Sequence, residues 1–360
     1  MQPRINITCL WRPGRLLYQG YRHSIMALLA LGMSACQPQE QPADIIRIAA
    51  ITVPNTPWYD GWMVFSQRLA AHDSQFEPVF YIYGQLGSEE SSLSQLRRGR
   101  IQLGGYSLQG ASSVVPELGL LLAPYLFDSR EQLDFIMDHY LNGAFATLFE
   151  TRGLILLNWA EVGWTNLYGK QAFLTPADTA HRKLRSSNAS ASQLLITAIG
   201  ADIVPLPFPD ILPSLQTGLI DGGESGTIFY ALAGLPKEAP HLTLTRHAFD
   251  TGMFLANRQW FKSLNLQQQQ QLRQSLPSLD EFRSAVRAAE QVILNAPEQH
   301  GIILHELTEQ QRQQWQHATF ANHQYLIESI GGKAGEIYEL IQRGKHAHAE
   351  ASRLVDKQAP

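Results

Sequence analysis

The sequence predicts an α/β fold in two βα-rich regions, with a cleft between them. Three observations carry this. Short β-rich apolar runs alternate with helical stripes from Ile45 to Leu103, a second such series runs from Leu154 to Thr217, and the last third reads as helix. A chain of 360 residues is also too long for one compact core and comfortable for two. Ligands of open α/β sheets sit beyond the carboxyl ends of the strands, so binding residues are sought in the loops that follow them.

The first series opens with Ile45 to Ala50, a strand, followed by the loop Val53-Pro54-Asn55-Thr56-Pro57. From Trp58 to Ala71 the spacing of Trp62, Phe65 and Leu69 predicts a helix. Pro78 to Tyr83 is a second strand. Ser92 to Arg98 is a helix closed by Gly99, and Ile101 to Leu103 begins a third strand. The second series places strands at Leu154 to Trp159, from Lys183, and at Ile203 to Leu206. Its helices are Ser192 to Ile199, ending at Gly200, and Ile211 to Thr217, ending at Gly218. In the last third, Ser278-Leu279-Asp280-Glu281 matches a capping box. Leu279, Phe282, Val286, Ala289, Val292 and Ile293 follow as a packing stripe, and Gln267 to Gln271 is a solvated helix face.

The N-terminus has a different character. Arg12, Arg15 and Arg22 precede a short apolar run from Ile25 to Met33, and Ser34-Ala35-Cys36 follows. This is the layout of a secretory signal, and the run is shorter than the roughly 20 residues that span a bilayer. Small residues ahead of a cysteine resemble the bacterial lipobox, which implies cleavage before Cys36 and lipid on its sulfur; a plain signal peptide with an incidental cysteine is the alternative. The long stretch before the run is consistent with translation starting downstream of Met1. Cys9 and Cys36 are the two cysteines, so a chain cut before Cys36 forms no internal disulfide. Gln37 to Pro42 is polar and Pro-containing, and reads as a tether.

Composition excludes some classes. A hydrophobic content of 44% fits a globular body, and a formal net charge of -4 offers no basic face for nucleic acid. Gly223-Glu224-Ser225-Gly226 lacks the spacing of a nucleophile elbow, and His305-Glu306 lacks the second histidine of a zinc-protease helix. No P-loop or Gly-x-Gly-x-x-Gly follows a strand. The sequence therefore calls for no catalytic residue, no cofactor and no metal. The His346 and His348 pair is assigned to a C-terminal tail.

Three segments carry a family resemblance. The first is Gly84 to Glu89 with Gln95 to Leu103, continuing through Val115 to Leu118 and Leu122 to Phe127. The second is Lys183-Leu184-Arg185, then Ile199 to Phe208, then Leu215-Gln216-Thr217-Gly218-Leu219-Ile220-Asp221-Gly222-Gly223-Glu224. The third is His241 to His247 leading to Leu255 to Phe261. In this order and spacing they resemble the extracytoplasmic solute-binding proteins of TRAP transporters.

The resemblance implies a two-lobed periplasmic-binding-protein clamshell with a ligand cleft between the lobes and a long C-terminal helix. It divides the chain into a lipoprotein signal (1–35), a tether (36–43), one lobe (44–162 plus about 251–290), the other (163–250 plus about 291–345), and a tail (346–360). It implies a receptor on the periplasmic face of a bacterial membrane, either lipid-anchored or free. Such a receptor delivers a small organic acid to TRAP permease subunits. A stand-alone binding lipoprotein of the same fold and a secreted enzyme on a bilobal scaffold are the competing classes.

Carried onto this chain, the family's arginine is Arg185, paired with a substrate carboxylate, and a family aromatic on the ligand is Phe208. A planar guanidinium offers paired donors matched to two carboxylate oxygens. Taken alone, the Lys183-Leu184-Arg185 triplet favours reading Arg185 as an ordinary strand-end surface residue. Two departures stand out. Gly163-Trp164-Thr165-Asn166 lacks a second arginine that many members carry, and Ser225 follows Glu224 where many have asparagine. Both positions commonly line the pocket, so a monocarboxylate with an apolar or aromatic body fits better than a doubly charged ligand. Trp164 is either an apolar wall of that pocket or a core residue. Trp58, Tyr106, Ser107 and Gln109 are further candidates from loops after strands.

Overall fold

The computed structural model describes residues 44–358, apart from 73, 74 and 320. The signal, the tether and Cys36 lie outside the described residues. Among the described residues, nine strands form one mixed sheet. They are β1 (Asp44–Ala50), β2 (Phe76–Ile82), β3 (Leu103–Tyr106), β4 (Leu154–Gly169), β5 (Lys183–Ser186), β6 (Asp202–Pro205), β7 (Gly222–Gly226), β8 (His241–Asn257) and β9 (Ile303–His305). Their order is β2-β1-β3-β8-β4-β7-β5-β6, with β9 paired to β8.

The long antiparallel pair β4 and β8 forms the middle of the sheet. On one side β2, β1 and β3 run parallel to each other, and β3 joins the C-terminal half of β8, with Tyr106 opposite Met253. On the other side β7, β5 and β6 run parallel to each other, and β7 joins the C-terminal half of β4, with Gly226 opposite Thr165 and Gly222 opposite Gly169. This register decides where the site is. Both parallel sets point their carboxyl ends toward the middle of the β4–β8 pair.

The middle is irregular by construction. Register shifts fall between Glu161 and Gly163 and between Thr165 and Leu167. Gly163 takes a φ of 105°, a conformation that side chains with a Cβ disfavour. Bulges of this kind bend a strand and re-aim its side chains.

Helix Leu279–Asn295 packs beside this middle. Its capping box is formed: the Ser278 amide donates to Glu281 Oε2 at 2.7 Å, and the Glu281 amide donates to Ser278 Oγ at 3.2 Å. Phe282, Val286 and Ile293 are buried, and Phe282 stacks on Phe254 at 5.3 Å. The predicted stripe is wrong at one position. Val292 is 65% exposed, while Glu290 is 5% exposed and pairs with Arg130. A buried ion pair replaces an apolar contact there.

The C-terminal helix Ala334–Gln358 is 25 residues long and runs through most of the segment assigned to a tail. Ile337 and Ile341 seat it in the core, and Phe135 meets His348 at 5.6 Å. Apolar residues four apart dock the helix, and nothing between them and His348 breaks it.

Candidate functional site

The converging strand ends enclose a cavity of about 740 Å3, counting its open mouth. Its lining comes from one residue or a few beyond each strand: Ile51 after β1, Ser107 after β3, Ser187 after β5, and Leu206 to Phe208 after β6. Glu224 and Ser225 of β7, Thr165 of β4 and Asp250 of β8 also line it, with Glu89, Glu90 and Phe229.

Arg185 enters through strand alternation. Leu184 turns into an apolar cluster with Leu167 and Phe173, so its neighbour turns the other way, into the cavity. Arg185 is only 8% exposed. Its Nε donates to the Leu206 carbonyl at 3.0 Å. Its two terminal nitrogens have no hydrogen-bond partner among the described residues, and no carboxylate pairs with it within bridging distance. They open onto the cavity, where the planar fork can meet the two oxygens of a carboxylate. Gly223 makes room for it: a Cβ there would stand 3.0 Å from Arg185 Cβ and 2.8 Å from the Tyr168 hydroxyl.

Four carboxyl side chains line the same space, Glu89, Glu90, Glu224 and Asp250, and of these Glu224 and Asp250 are buried. Ser192 donates its hydroxyl to Glu224 Oε1, and His247 Nε2 meets Glu224 Oε2 at 3.1 Å. His247 is aligned in turn by Thr245 at 2.8 Å. Burial opposes ionisation of Glu224, but the contacts from His247 and Ser192, with the charge of Arg185, outweigh it and hold its pKa below the ordinary value. Glu224 bridges Ser192 and His247.

Glu89 accepts from the Ser107 amide at 2.8 Å and from its hydroxyl at 2.7 Å. Burial pushes its pKa up against those bonds. Asp250 is 6% exposed, and its Oδ1 has no partner. Burial, with Glu89 and Glu224 nearby, pushes its pKa up to about 7.

The Asp250 shift has a consequence for stability. The folded value lies above the ordinary carboxylate value, so the folded chain holds a proton that the unfolded chain has lost. That stabilisation is complete below pH about 4 and is lost as pH rises to about 7, at about 1.4 kcal/mol per pH unit. The ligand-free Asp250→Asn variant is therefore expected to melt above the wild type at pH 8, with the gap closing toward pH 4. A gap independent of pH would contradict this.

Arg185, Phe208, Glu224, Ser225, Thr165 and Ser107 are brought together, as is Gln109. An adjoining apolar hollow, about 390 Å3 counting its open mouth, shares Ile51, Ser107, Val162 and Phe229 with the first, and Trp58 and Tyr106 line it. Trp58 stacks on Phe229 with ring centroids 4.4 Å apart, and Phe229 meets Phe208 edge-on at 5.3 Å. Trp164 is placed elsewhere. It packs on Phe249 at 5.0 Å and lines a second hollow with Arg130 and Arg246. Its neighbour Thr165 takes the cavity side, and Phe208 and Phe229 supply the apolar wall instead. Glu89, Phe229, His247 and Asp250 were not singled out from the sequence. A lone acid in the apolar run Ala248 to Ala256 was the available signal for Asp250.

Residues 48–329 match bacterial extracellular solute-binding protein family 7. A solute-binding protein of Chromohalobacter salexigens is 25% identical over 277 residues, 75% of this chain and 82% of the relative. The ectoine-binding periplasmic protein TeaA of Halomonas elongata is 26% identical over 215 residues, 58% of this chain and 62% of that protein. A TRAP periplasmic solute-binding protein of Sulfurospirillum deleyianum, solved with bound succinate, superposes with a TM-score of 0.78 at 21% identity. That match covers 84% of this chain and 99% of the other. With that match covering well over half of its length, the chain belongs to family 7 of the bacterial extracellular solute-binding proteins.

Proposed function

We propose that this protein is the extracytoplasmic receptor of a TRAP-type secondary transporter and captures a small organic acid, whose carboxylate is held by Arg185. The observation that carries this is the buried guanidinium with both terminal nitrogens unpartnered, at the point where five strand ends converge. Relatives support the class of ligand, since they include an ectoine binder and a neighbour holding succinate, both carboxylates. The acid's body rests on Phe208 and Phe229.

The same reading divides the molecule into lobes at 44–162 plus about 251–290 and at 163–250 plus about 291–345. β4 and β8 each contribute to both, so the bulged middle of that pair is the hinge. Closure ties stability to occupancy. An acid at 100 times its Kd should add about 2.7 kcal/mol, seen as a clear rise in melting temperature. A panel of organic acids, sugars and amines tests this. A rise with sugars or amines and none with any acid would overturn the carboxylate reading.

Cys36 is proposed as a lipid anchor, because small residues and an apolar run precede it and a polar tether follows. Two or more acyl chains suffice for stable anchoring. Cys36→Ser should release the protein into the soluble fraction or block cleavage. A mature N-terminus downstream of Cys36, with no lipid mass, would contradict the anchor.

A further inference from the structure

The charges lining the cavity do not match a simple acid. One guanidinium, Arg185, shares the cavity with four carboxyl side chains, Glu89, Glu90, Glu224 and Asp250, of which Glu224 and Asp250 are buried. A plain carboxylate ligand would satisfy Arg185 and give none of these acids a cation to meet. Three of them, Glu89, Glu224 and Asp250, differ in what they have left to offer. Both oxygens of Glu89 are taken by Ser107, and both oxygens of Glu224 by Ser192 and His247. Asp250 Oδ1 is taken by nothing.

The surroundings of Asp250 explain why its partner does not come from the protein. Its register partner on β4 is Gly163, which has no side chain to reach it. Gln109 attends the Asp250 carboxyl, yet Oδ1 stays unpaired. Burial and two neighbouring acids penalise its charge. An unpaired buried carboxylate oxygen is among the most costly groups a fold can keep, and such groups persist where a ligand completes them.

We propose that Asp250 is a second anchoring group, and that the cavity takes a small carboxylic acid that also carries a cationic nitrogen, with its carboxylate on Arg185 and its nitrogen on Asp250. This rests on the assignment of Arg185 as the carboxylate clamp. It narrows the ligand from organic acids in general to amino acids and amidinium acids. A hydrogen bond between a charged nitrogen and a buried carboxylate should favour such a ligand by about tenfold to a hundredfold over the same skeleton without the nitrogen.

The test is calorimetric titration with matched pairs. β-Alanine, 4-aminobutyrate, 5-aminovalerate and proline are compared with propionate, butyrate, valerate and cyclopentanecarboxylate, and butylamine serves as the amine without a carboxylate. At least one amino acid should bind ten times more tightly than its matched acid. Asp250→Asn should cut that ratio at least tenfold, with a melting curve confirming that the variant is folded. If no amino acid binds more tightly than its matched acid, whether or not the acids bind, the inference is overturned. In that case, acids that bind the wild type and are lost in Arg185→Ala would leave the carboxylate reading standing. Butylamine binding as tightly as 4-aminobutyrate would remove the carboxylate reading and this inference together. A preference that survives Asp250→Asn would overturn the role of Asp250.

Discussion

Arg185→Ala is expected to weaken binding of the organic acid by roughly 30-fold to several thousandfold. The range follows from removing one partner of a buried, hydrogen-bonded charge pair, which costs about 2 to 5 kcal/mol, with about 1.4 kcal/mol per factor of ten. The loss is large because Arg185 is the one cation among the cavity-lining residues. Without it a bound carboxylate would face Glu89, Glu90, Glu224 and Asp250 with no cation beside it. Arg185→Lys keeps the charge and loses the fork, so it should fall between wild type and Ala. The fold should survive both changes, since the guanidinium makes a single hydrogen bond to the protein, to the Leu206 carbonyl. Titration of the three proteins checks this. A folded Arg185→Ala protein that binds within threefold of wild type would remove Arg185 from the site.

Gly222→Ala is expected to be the most damaging small substitution for the fold. A Cβ on Gly222 would overlap the Tyr168 carbonyl oxygen and stand 2.8 Å from Gly169 Cα, and both obstacles are backbone. The β4–β7 pairing must shift to admit one methyl group. Overpacking usually costs about 1 to 3 kcal/mol, and an obstacle made of backbone places this case at or above the upper end, about 3 kcal/mol. For a chain of this size the melting temperature should fall by roughly 4 to 5 °C. Gly143→Ala is the contrasting control. Gly143 is in helix Asn142–Thr151 with nothing within 4 Å of an added Cβ. Alanine there should stabilise by about 0.5 to 1 kcal/mol. Equal melting temperatures for the two variants would contradict the packing described for β7.

The glycine pair also shows how the sequence carried the site. Asp221-Gly222-Gly223-Glu224 was recognisable as part of a family block, but not as a strand. β7 is Gly222–Gly226, with three glycines and no β-branched residue, so propensity and alternation say nothing there. Its structural logic emerges only in three dimensions: Gly222 clears β4 and Gly223 clears Arg185. Elements with local signals were legible. β1, β5 and helix Pro57–Ala71 lie within two residues of where the pattern places them, and the Ser278 capping box forms as read.

The lengths of β4 and β8 were not legible. Both strands bury polar residues in mid-course, Glu161 and Asn166 in one, Thr243, Thr245, His247 and Asp250 in the other. Polar residues read as the end of a strand when the partner strand is unknown. The bulges compound this. A shift on each side of Trp164 resets which face each residue takes, so alternation could not decide between Trp164 and Thr165 as the cavity residue. Asp250 is invisible for a related reason. An acid becomes a binding group through what it lacks around it, and sequence lists only what is there.

The most direct test of the account is mass spectrometry of small molecules released by denaturing freshly purified protein, wild type and Arg185→Ala side by side. The account predicts a small carboxylic acid released from the wild type, in an amount approaching one per chain, and its depletion from the variant. A released molecule with no carboxyl group, or the same acid in equal amounts from both proteins, would contradict it.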